Sequence, residues 1–429
     1  MLLACLGFAI LLLLCFYGLP LGFASLAVGV VGFAYTRDWN WHGAVTMMSQ
    51  QIMEFGANYG LSVIPLFILM GVFIHRANIS EDLYRAAYAL VGRRPGGLAQ
   101  ATVLACAGFA AVSGSSLATA ATMTKVAMPY MRRYRYDDSL SAGVIAAGGT
   151  LGIMIPPSVQ LVIYGLVAEQ DIGKLFIAGI LPGLLLTLLF MGAVKFTVLR
   201  RPSAGPAGEG LPRAERLQAY AKVWPVLALF LIVLGGIYLG VFTPTEASGI
   251  GATGAAVFAV LRGYVRNVRD LYEVLLDACK TTGGLFMVIF GAQVFANFIN
   301  LSGLPYDLVD LVKAMDLSPI GVVIAVCFIC IILGMIFEAV GLLLLIVPVF
   351  LPTLIGLDID LIWFGIVMVL VVEMGLITPP IGMNVFVVRT VATDLDLWAI
   401  FRGVTPFVAA DFVALALLLL FPVIAVGLL

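Results

Sequence analysis

The sequence predicts an all-α polytopic membrane protein made of two inverted repeats, each with a re-entrant helical hairpin and a broken transmembrane helix. Three observations lead there. Of the 429 residues, 62% are hydrophobic and 11% charged, with a mean hydropathy of +1.12, whereas a soluble protein carries about 25% charged residues. The string Gly152-Ile153-Met154-Ile155-Pro156-Pro157 returns as Gly375-Leu376-Ile377-Thr378-Pro379-Pro380, and the same offset (375 − 152 = 223) carries Pro129 onto Pro352 and Asp137 onto Asp360. Both copies lie in apolar surroundings, where a Gly followed by a Pro pair interrupts a membrane helix. Broken helices at matching positions of two repeats point to the binding site of a secondary transporter.

The elements follow in order. At roughly 20 residues per span, the apolar content allows about 10–14 membrane elements. The first charged side chain is Arg37, so the start lacks the basic region of a signal peptide. It reads as two tightly turned spans with Gly18-Leu19-Pro20 at the turn, inside a first block of scaffold spans over 1–75. Ser80–Val91 mixes charge with helical apolar spacing and is expected to lie at the interface. Arg93-Arg94 and Arg132-Arg133-Tyr134-Arg135 flank an apolar stretch broken midway by Ser113-Gly114-Ser115-Ser116. Basic flanks belong in the cytoplasm, so this stretch enters and leaves on one side. Its length of about 37 residues is too short for two spans of roughly 20 each. A re-entrant hairpin around 98–130 fits, within a first repeat over 76–194.

The most polar segment, 195–222, carries Arg200, Arg201, Arg213, Arg216 and three prolines and reads as a cytoplasmic linker. Scaffold spans over 223–300 follow: one from Trp224 to Val241, then a return ending before Arg262, Arg266 and Arg269. Between them Thr243-Pro244-Thr245-Glu246 has the pattern of a capping box that starts a helix toward Ala256. The second repeat, 301–429, opens with an amphipathic segment at Tyr306–Met315. Its hairpin, around 318–352, breaks near Gly334–Gly341 with Glu338 in the apolar run. The following loop, Gly356–Asp360, has no Lys or Arg, compatible with the outer face. One hairpin thus opens inward and the other outward.

The breaks hold the candidate binding residues. Ser113, Gly114, Ser115 and Ser116 supply hydroxyls, carbonyls and a helix N-terminus, which favours a carboxylate; small residues also serve helix packing in membranes. Residues Gly152 to Pro157 unwind a helix, and carbonyls freed in this way can ligate Na⁺. In the second copy Thr378 adds a hydroxyl, and Asn384 lies further along the same element. Glu338 and Glu373 are the acids set deepest in apolar sequence, where a carboxylate is costly. Cation ligand, proton carrier and acceptor for a hairpin's N–H groups are all open roles for them. Lys125 follows the first hairpin tip and can snorkel toward the cytoplasm.

Other chemistry finds little support. The Cys327-x-x-Cys330 pair sits in uninterrupted apolar sequence and reads as buried packing. His42 and His75 have no cysteine or acid cluster nearby to build a metal site. There is no phosphate-binding loop for ATP, no Arg series of a voltage sensor, and no charge excess for nucleic acid. An intramembrane enzyme would need a dyad, and one of Ser113, Ser115 or Ser116 with Lys125 is the single candidate.

Nearly end to end, the chain resembles the large membrane subunit of tripartite ATP-independent periplasmic (TRAP) transporters, in the wider ion-transporter superfamily. The resemblance rests on SGSSLATAA at Ser113–Ala121, GTLGIMIPPS at Gly149–Ser158, FTPTEASG at Phe242–Gly249, GLDIDLIWFGI at Gly356–Ile366 and GLITPPIGMN at Gly375–Asn384. It implies a multi-pass protein of a bacterial or archaeal inner membrane and an elevator, with an outer scaffold and a mobile transport domain holding both hairpins. It implies Na⁺-coupled uptake of a small carboxylate, such as a sugar acid or C4-dicarboxylate. Two partners are implied: a small four-helix membrane subunit and a periplasmic substrate-binding protein. By position, one Na⁺ site would use Ser113 and Ser116 with Gly152, Ile155 and Pro157. A second would use Gly334 with Gly375, Thr378 and Ile381. Gly114, Ser115, Glu338 and Asn384 are the substrate candidates. Many relatives have Asp where this chain has Glu338. The rival reading is a stand-alone dicarboxylate or citrate-type symporter of the same superfamily, needing no binding protein.

Overall fold

Apolar runs bounded by turn and capping residues become helices along the whole chain. The computed structural model describes residues 2–429, and no strand occurs among them. The first two helices, α1 (Leu2–Phe16) and α2 (Leu21–Thr36), turn at Gly18-Leu19-Pro20. An exposed helix α3 (Trp41–Gly56) leads through a 3₁₀ turn into α4 (Val63–Arg76), and the amphipathic α5 (Ile79–Val91) follows. The first hairpin is α6 (Gly97–Ser113) and α7 (Ser116–Arg133). Next comes a broken span, α8 (Asp138–Met154) and α9 (Val159–Val167), bent by 44°. Four long helices cross to the second half: α10 (Ile172–Arg200), α11 (Arg213–Tyr238), α12 (Pro244–Leu261) and α13 (Val268–Leu301). After the amphipathic α14 (Leu304–Ala314), the pattern repeats as hairpin α15 (Pro319–Gly334) and α16 (Ala339–Gly356), then broken pair α17 (Leu361–Ile377) and α18 (Met383–Val391). The last long helix is α19 (Leu397–Leu420).

By length and composition, 6 of the described helices can cross a membrane singly, and α8 with α9 makes a further span. The shorter apolar helices include α1, α2, α15 and α17.

The duplication reaches the helix caps. Asp137 Oδ1 accepts from the amides of Ser139 at 2.8 Å and Leu140 at 3.2 Å. Its counterpart Asp360 accepts from Ile362 at 2.8 Å and Trp363 at 3.1 Å. A carboxylate here satisfies N–H groups that lack a helical partner and complements the helix dipole. The capping box at Thr243 and Glu246 also forms.

The connection between the halves is shorter than the 195–222 expected for it. α10 runs on to Arg200 and α11 starts at Arg213, so only 201–212 lies outside α-helix. Charge does not stop a helix. The Arg, Ala, Glu, Leu and Gln of 213–218 are good helix formers, and it is Pro202 and Pro212 that bound the break.

Two groups of helices can be followed, and they meet where α13 packs on α16 and α4 on α6. In the first, α2 lies along α13 and α4 along α12, with α11 beside them. Small residues let the backbones approach: a Cβ at Gly29 would sit 2.7 Å from the Phe295 nitrogen, and one at Gly22 2.6 Å from the Met287 carbonyl oxygen. Close approach of this kind substitutes for the missing hydrophobic drive between helices in lipid. The second group gathers α6 to α10 with α15 to α19. Its tightest crossing is α8 over α19, where a Cβ at Gly143 would lie 2.2 Å from the Gly403 carbonyl carbon. Ser139 Oγ donates to the Ala399 carbonyl beside it at 2.7 Å.

A methyl group at this crossing must push two backbones apart. Gly403→Ala is expected to cost about 1–3 kcal/mol of stability, read as a lower thermal unfolding midpoint in detergent. An unchanged midpoint would contradict so close a crossing.

Candidate functional site

The site begins with carbonyls deprived of donors. In a helix each carbonyl accepts from the N–H four residues on. For Gly152 that residue is Pro156 and for Ile153 it is Pro157, neither of which has an N–H. The same arithmetic strips Gly375 and Leu376 through Pro379 and Pro380. The copies then differ. Ile155 N–H still reaches the Leu151 oxygen at 3.1 Å, whereas Thr378 N–H folds back to Gly375 at 3.2 Å. Both Pro-Pro bonds are cis.

Each break faces a hairpin. Gly114 turns the first tip with φ +60°, a conformation that favours glycine, and a Cβ there would meet Val159 at 3.3 Å and the Pro157 oxygen at 3.9 Å. A Cβ at Gly152 would lie 3.3 Å from Thr119 Oγ1 and 3.4 Å from the Ser115 carbonyl oxygen. Ser113 Oγ lies 3.1 Å from both the Ser115 oxygen and Thr119 Oγ1. Of the expected set, Ser113 thus lies with Thr119 and the Ser115 carbonyl beside Gly152, and Pro157 beside Gly114; the Ser116 hydroxyl turns to Asn384, and Ile155 packs against Gly183. In the second repeat a Cβ at Gly375 would lie 2.6 Å from the Gly334 carbonyl carbon, so those two backbones touch. Thr378 Oγ1 donates to the Met374 oxygen at 2.5 Å. A donating hydroxyl keeps its lone pairs, so both clusters offer only neutral oxygens, the donor type a hard monovalent cation takes.

Both hairpin tips reach one cavity of about 660 Å³, lined by Ser113, Gly114 and Ser115 on one side and Glu338 and Val340 on another. Ser115 and Glu338 are counterparts under the repeat offset (338 − 115 = 223), and each is the N-cap of its second hairpin helix. Ser115 Oγ accepts from Ala118 N–H at 3.4 Å. Glu338 makes no capping hydrogen bond and is exposed to the cavity. The geometry therefore shows no acceptor role for Glu338 toward the hairpin's N–H groups. The helix N-terminus behind Ser115 stays free of acid, while the one behind Glu338 already has a negative charge beside it. The cavity extends past Thr122 and Lys125 of α7 and Asp277 and Lys280 of α13. Those residues lead toward the basic flanks, which the positive-inside rule assigns to the cytoplasm.

Asn384 is elsewhere. It is fully buried, away from the cavity wall, and accepts from Ser116 Oγ at 2.7 Å while donating to the Ala146 carbonyl oxygen at 3.0 Å. It does not line the cavity, and its amide joins α7, α8 and α18 as a clasp. Glu373 is also buried, at 1% exposure, as is Asp411 on α19. None of their four carboxyl oxygens has a partner in hydrogen-bond geometry. The Asp411 carboxyl is the charged group that acts on Glu373. At the cytoplasmic rim Arg132 pairs with Asp138 at 3.0 Å and Asp394 at 2.6 Å. Its hydrogen bond holds the Asp394 carboxyl below the usual range.

Sequence reasoning did not single out Thr119, Asp277 or Lys280, and weighed His75 only as a metal ligand. Thr119 stands one turn after Ser115, and that spacing was the available signal. His75 Nδ1 lies 3.4 Å from Thr122 Oγ1 in the cavity wall, and no cluster of three or more His, Cys, Asp or Glu side chains occurs there or elsewhere among the described residues that could hold a metal ion.

With this geometry described, three comparisons bear on the chain. The family model of the tripartite ATP-independent periplasmic transporter, DctM component, matches residues 8–424. The C4-dicarboxylate TRAP transporter large permease protein DctM of Pseudomonas aeruginosa is 37% identical over 385 residues, covering 90% of this chain and 90% of the relative. The sialic acid TRAP transporter large permease protein SiaM of Vibrio cholerae is 31% identical, over 95% of this chain and 94% of its own. Among solved structures, the YdaH transporter of Alcanivorax borkumensis superposes with a TM-score of 0.63 at 16% identity, covering 88% of this chain and 87% of that one. At that identity the likeness speaks for the fold alone.

The clasp is open to a direct test. Ser116→Ala and Asn384→Ala each leave a buried polar group unpaired, at about 1–3 kcal/mol. In a double-mutant cycle on thermal unfolding the pair is expected to couple by roughly 0.5–3 kcal/mol. Strict additivity would show that the two side chains do not meet.

Proposed function

Because the chain belongs to the tripartite ATP-independent periplasmic transporter family, as its large membrane subunit, we propose that it takes up a small organic anion in symport with Na⁺. It is a multi-pass inner-membrane protein, and its relatives are transporter permeases, not enzymes. Organic-acid uptake is the class of activity they have in common. What supports coupling to Na⁺ is one observation above the rest: the donor-stripped carbonyls of Gly152 and Gly375 each lie against a break in the hairpin of the same repeat. In this reading Ser113, Ser116, Gly152, Ile155 and Pro157 hold one ion, and Gly334, Gly375, Thr378 and Ile381 a second.

The substrate carboxylate sits against Ser113, Gly114 and Ser115 at the N-terminus of α7, the tip without an acid. C4-dicarboxylates and sialic acid, named for two relatives, both carry such a group. Glu338, across the cavity, faces the less anionic end of the substrate. The helices α6 to α10 and α15 to α19 move as a body against α2, α4 and α11 to α13. An opening of the cavity toward the cytoplasm is then the inward stage of an elevator cycle. A small four-helix membrane subunit completes the scaffold, and a periplasmic binding protein delivers the substrate.

Proteoliposomes test the whole reading. Uptake is expected to require an inward Na⁺ gradient, the small subunit and the loaded binding protein. Robust uptake of free substrate by this chain alone would sink it in favour of a stand-alone symporter. Within the working system, Thr378→Val removes one hydroxyl oxygen from a charged ligand. The Na⁺ concentration for half-maximal uptake should rise by roughly ten-fold with expression unchanged. An unaltered Na⁺ dependence removes Thr378 from the site.

A further inference from the structure

On the cytoplasmic side, away from the central cavity, a second cavity of about 510 Å³ lies where the end of α10 meets the starts of α8 and α19. Arg200, Arg201 and Arg402 line it, with Phe196, Thr197 and Thr405. None of the three guanidinium groups has an ion pair or hydrogen bond among the described residues. Arg200 instead lies over the Phe196 ring, 4.3 Å from its centroid. One acid, Asp137, also lines the pocket, but its Oδ1 is engaged by the Ser139 and Leu140 amides. Thr197 and Thr405 have donated their hydroxyl protons to Ala193 and Phe401 carbonyls and keep lone pairs only. Three unpaired cations therefore converge on one concave surface, and like charges held together without an anion repel.

The helices above the pocket say what covers it. On α10 the exposed side chains Leu181, Leu184 and Leu188 lead down to Phe196, a stripe at helical spacing. On α19 Arg402, Thr405, Ala409 and Phe412 are exposed in the same way and continue to Leu420. The two helices pack against each other, with Phe190 and Phe407 in edge-to-face contact at 5.4 Å. The exposed apolar rows of the two packed helices thus run down to a basic pocket at the end of α10 and the start of α19. Basic pockets between transmembrane helices on the cytoplasmic side suit anionic headgroups.

We propose that the pocket of Arg200, Arg201 and Arg402 binds the phosphodiester headgroup of an anionic phospholipid of the inner leaflet, with its acyl chains along the exposed stripes of α10 and α19. Guanidinium forks match phosphate oxygens in pairs. The apolar stripes select a lipid over a free anion of the same charge. The proposal goes beyond the transport cycle and does not depend on which ions drive it.

The test is native mass spectrometry of the purified full chain, delipidated and then titrated with phosphatidylglycerol or phosphatidylcholine of the same acyl chains. Wild type should hold phosphatidylglycerol at least about ten-fold more tightly than phosphatidylcholine. Each basic side chain beside an anionic headgroup is worth about five-fold in binding, so R200Q/R201Q/R402Q should weaken phosphatidylglycerol binding by roughly a hundred-fold. Phosphatidylcholine has the same phosphate beside a compensating choline cation and should lose only about ten-fold, so that the preference between the two lipids disappears. R213Q/R216Q, which removes cytoplasmic charge outside the pocket, should bind as wild type does. If the triple variant folds poorly, R402Q alone should still show the five-fold loss. Equal retention of phosphatidylglycerol by the variants overturns the proposal. So does displacement of the lipid by inorganic phosphate at matched concentration, which would mark a site for free anions.

Discussion

Interrupted backbone inside a membrane must find its hydrogen-bond partners within the protein, because lipid offers none. This chain interrupts its helices at four such places, and the rest of the structure is arranged around settling that debt. Two interruptions are hairpin tips and two are Gly-x-x-x-Pro-Pro breaks. Each tip is set against the break of its own repeat, so loose carbonyls and hydroxyls are gathered instead of scattered. The surrounding glycines, Gly143 with Gly403 above all, make the crowding possible by letting backbones touch.

The repeats are alike in frame and unlike in chemistry. Asp137 and Asp360 cap their helices with nearly the same geometry. At the tips, however, Ser115 stands where its counterpart is Glu338. One helix N-terminus is therefore left open to an anion from outside, and the other has a carboxylate of its own beside it. That difference gives a single cavity between two related halves a polarity the fold alone would not supply.

Much of this was legible in the sequence because it rests on local chemistry. A proline without an N–H, an Asp before a helix and a run of arginines act where they stand, so the broken helices, caps and sidedness could be read directly. The rest needed contacts between distant positions. Asn384 reads as one more polar residue on a broken helix until Ser116 and Ala146 are seen on either side of it. Glu373 was legible as a costly acid, but its neighbour Asp411 comes from another helix. The polar connector was over-read because charge was taken as a sign of loop, while the helices there end at prolines.

The Ser116–Asn384 clasp also sets a limit on the exchangeability of the two halves. Under the repeat offset Asn384 corresponds to Leu161 and Ser116 to Ala339, so the clasp exists once and has no mirror. A chain assembled from two first halves would lay leucine against that serine and leave its hydroxyl without the acceptor that Asn384 supplies. One built from two second halves would put alanine there and leave the Asn384 amide oxygen without its donor. The fused chain is thus a heterodimer in a single polypeptide, and its pseudo-symmetry describes its backbone more than its bonds.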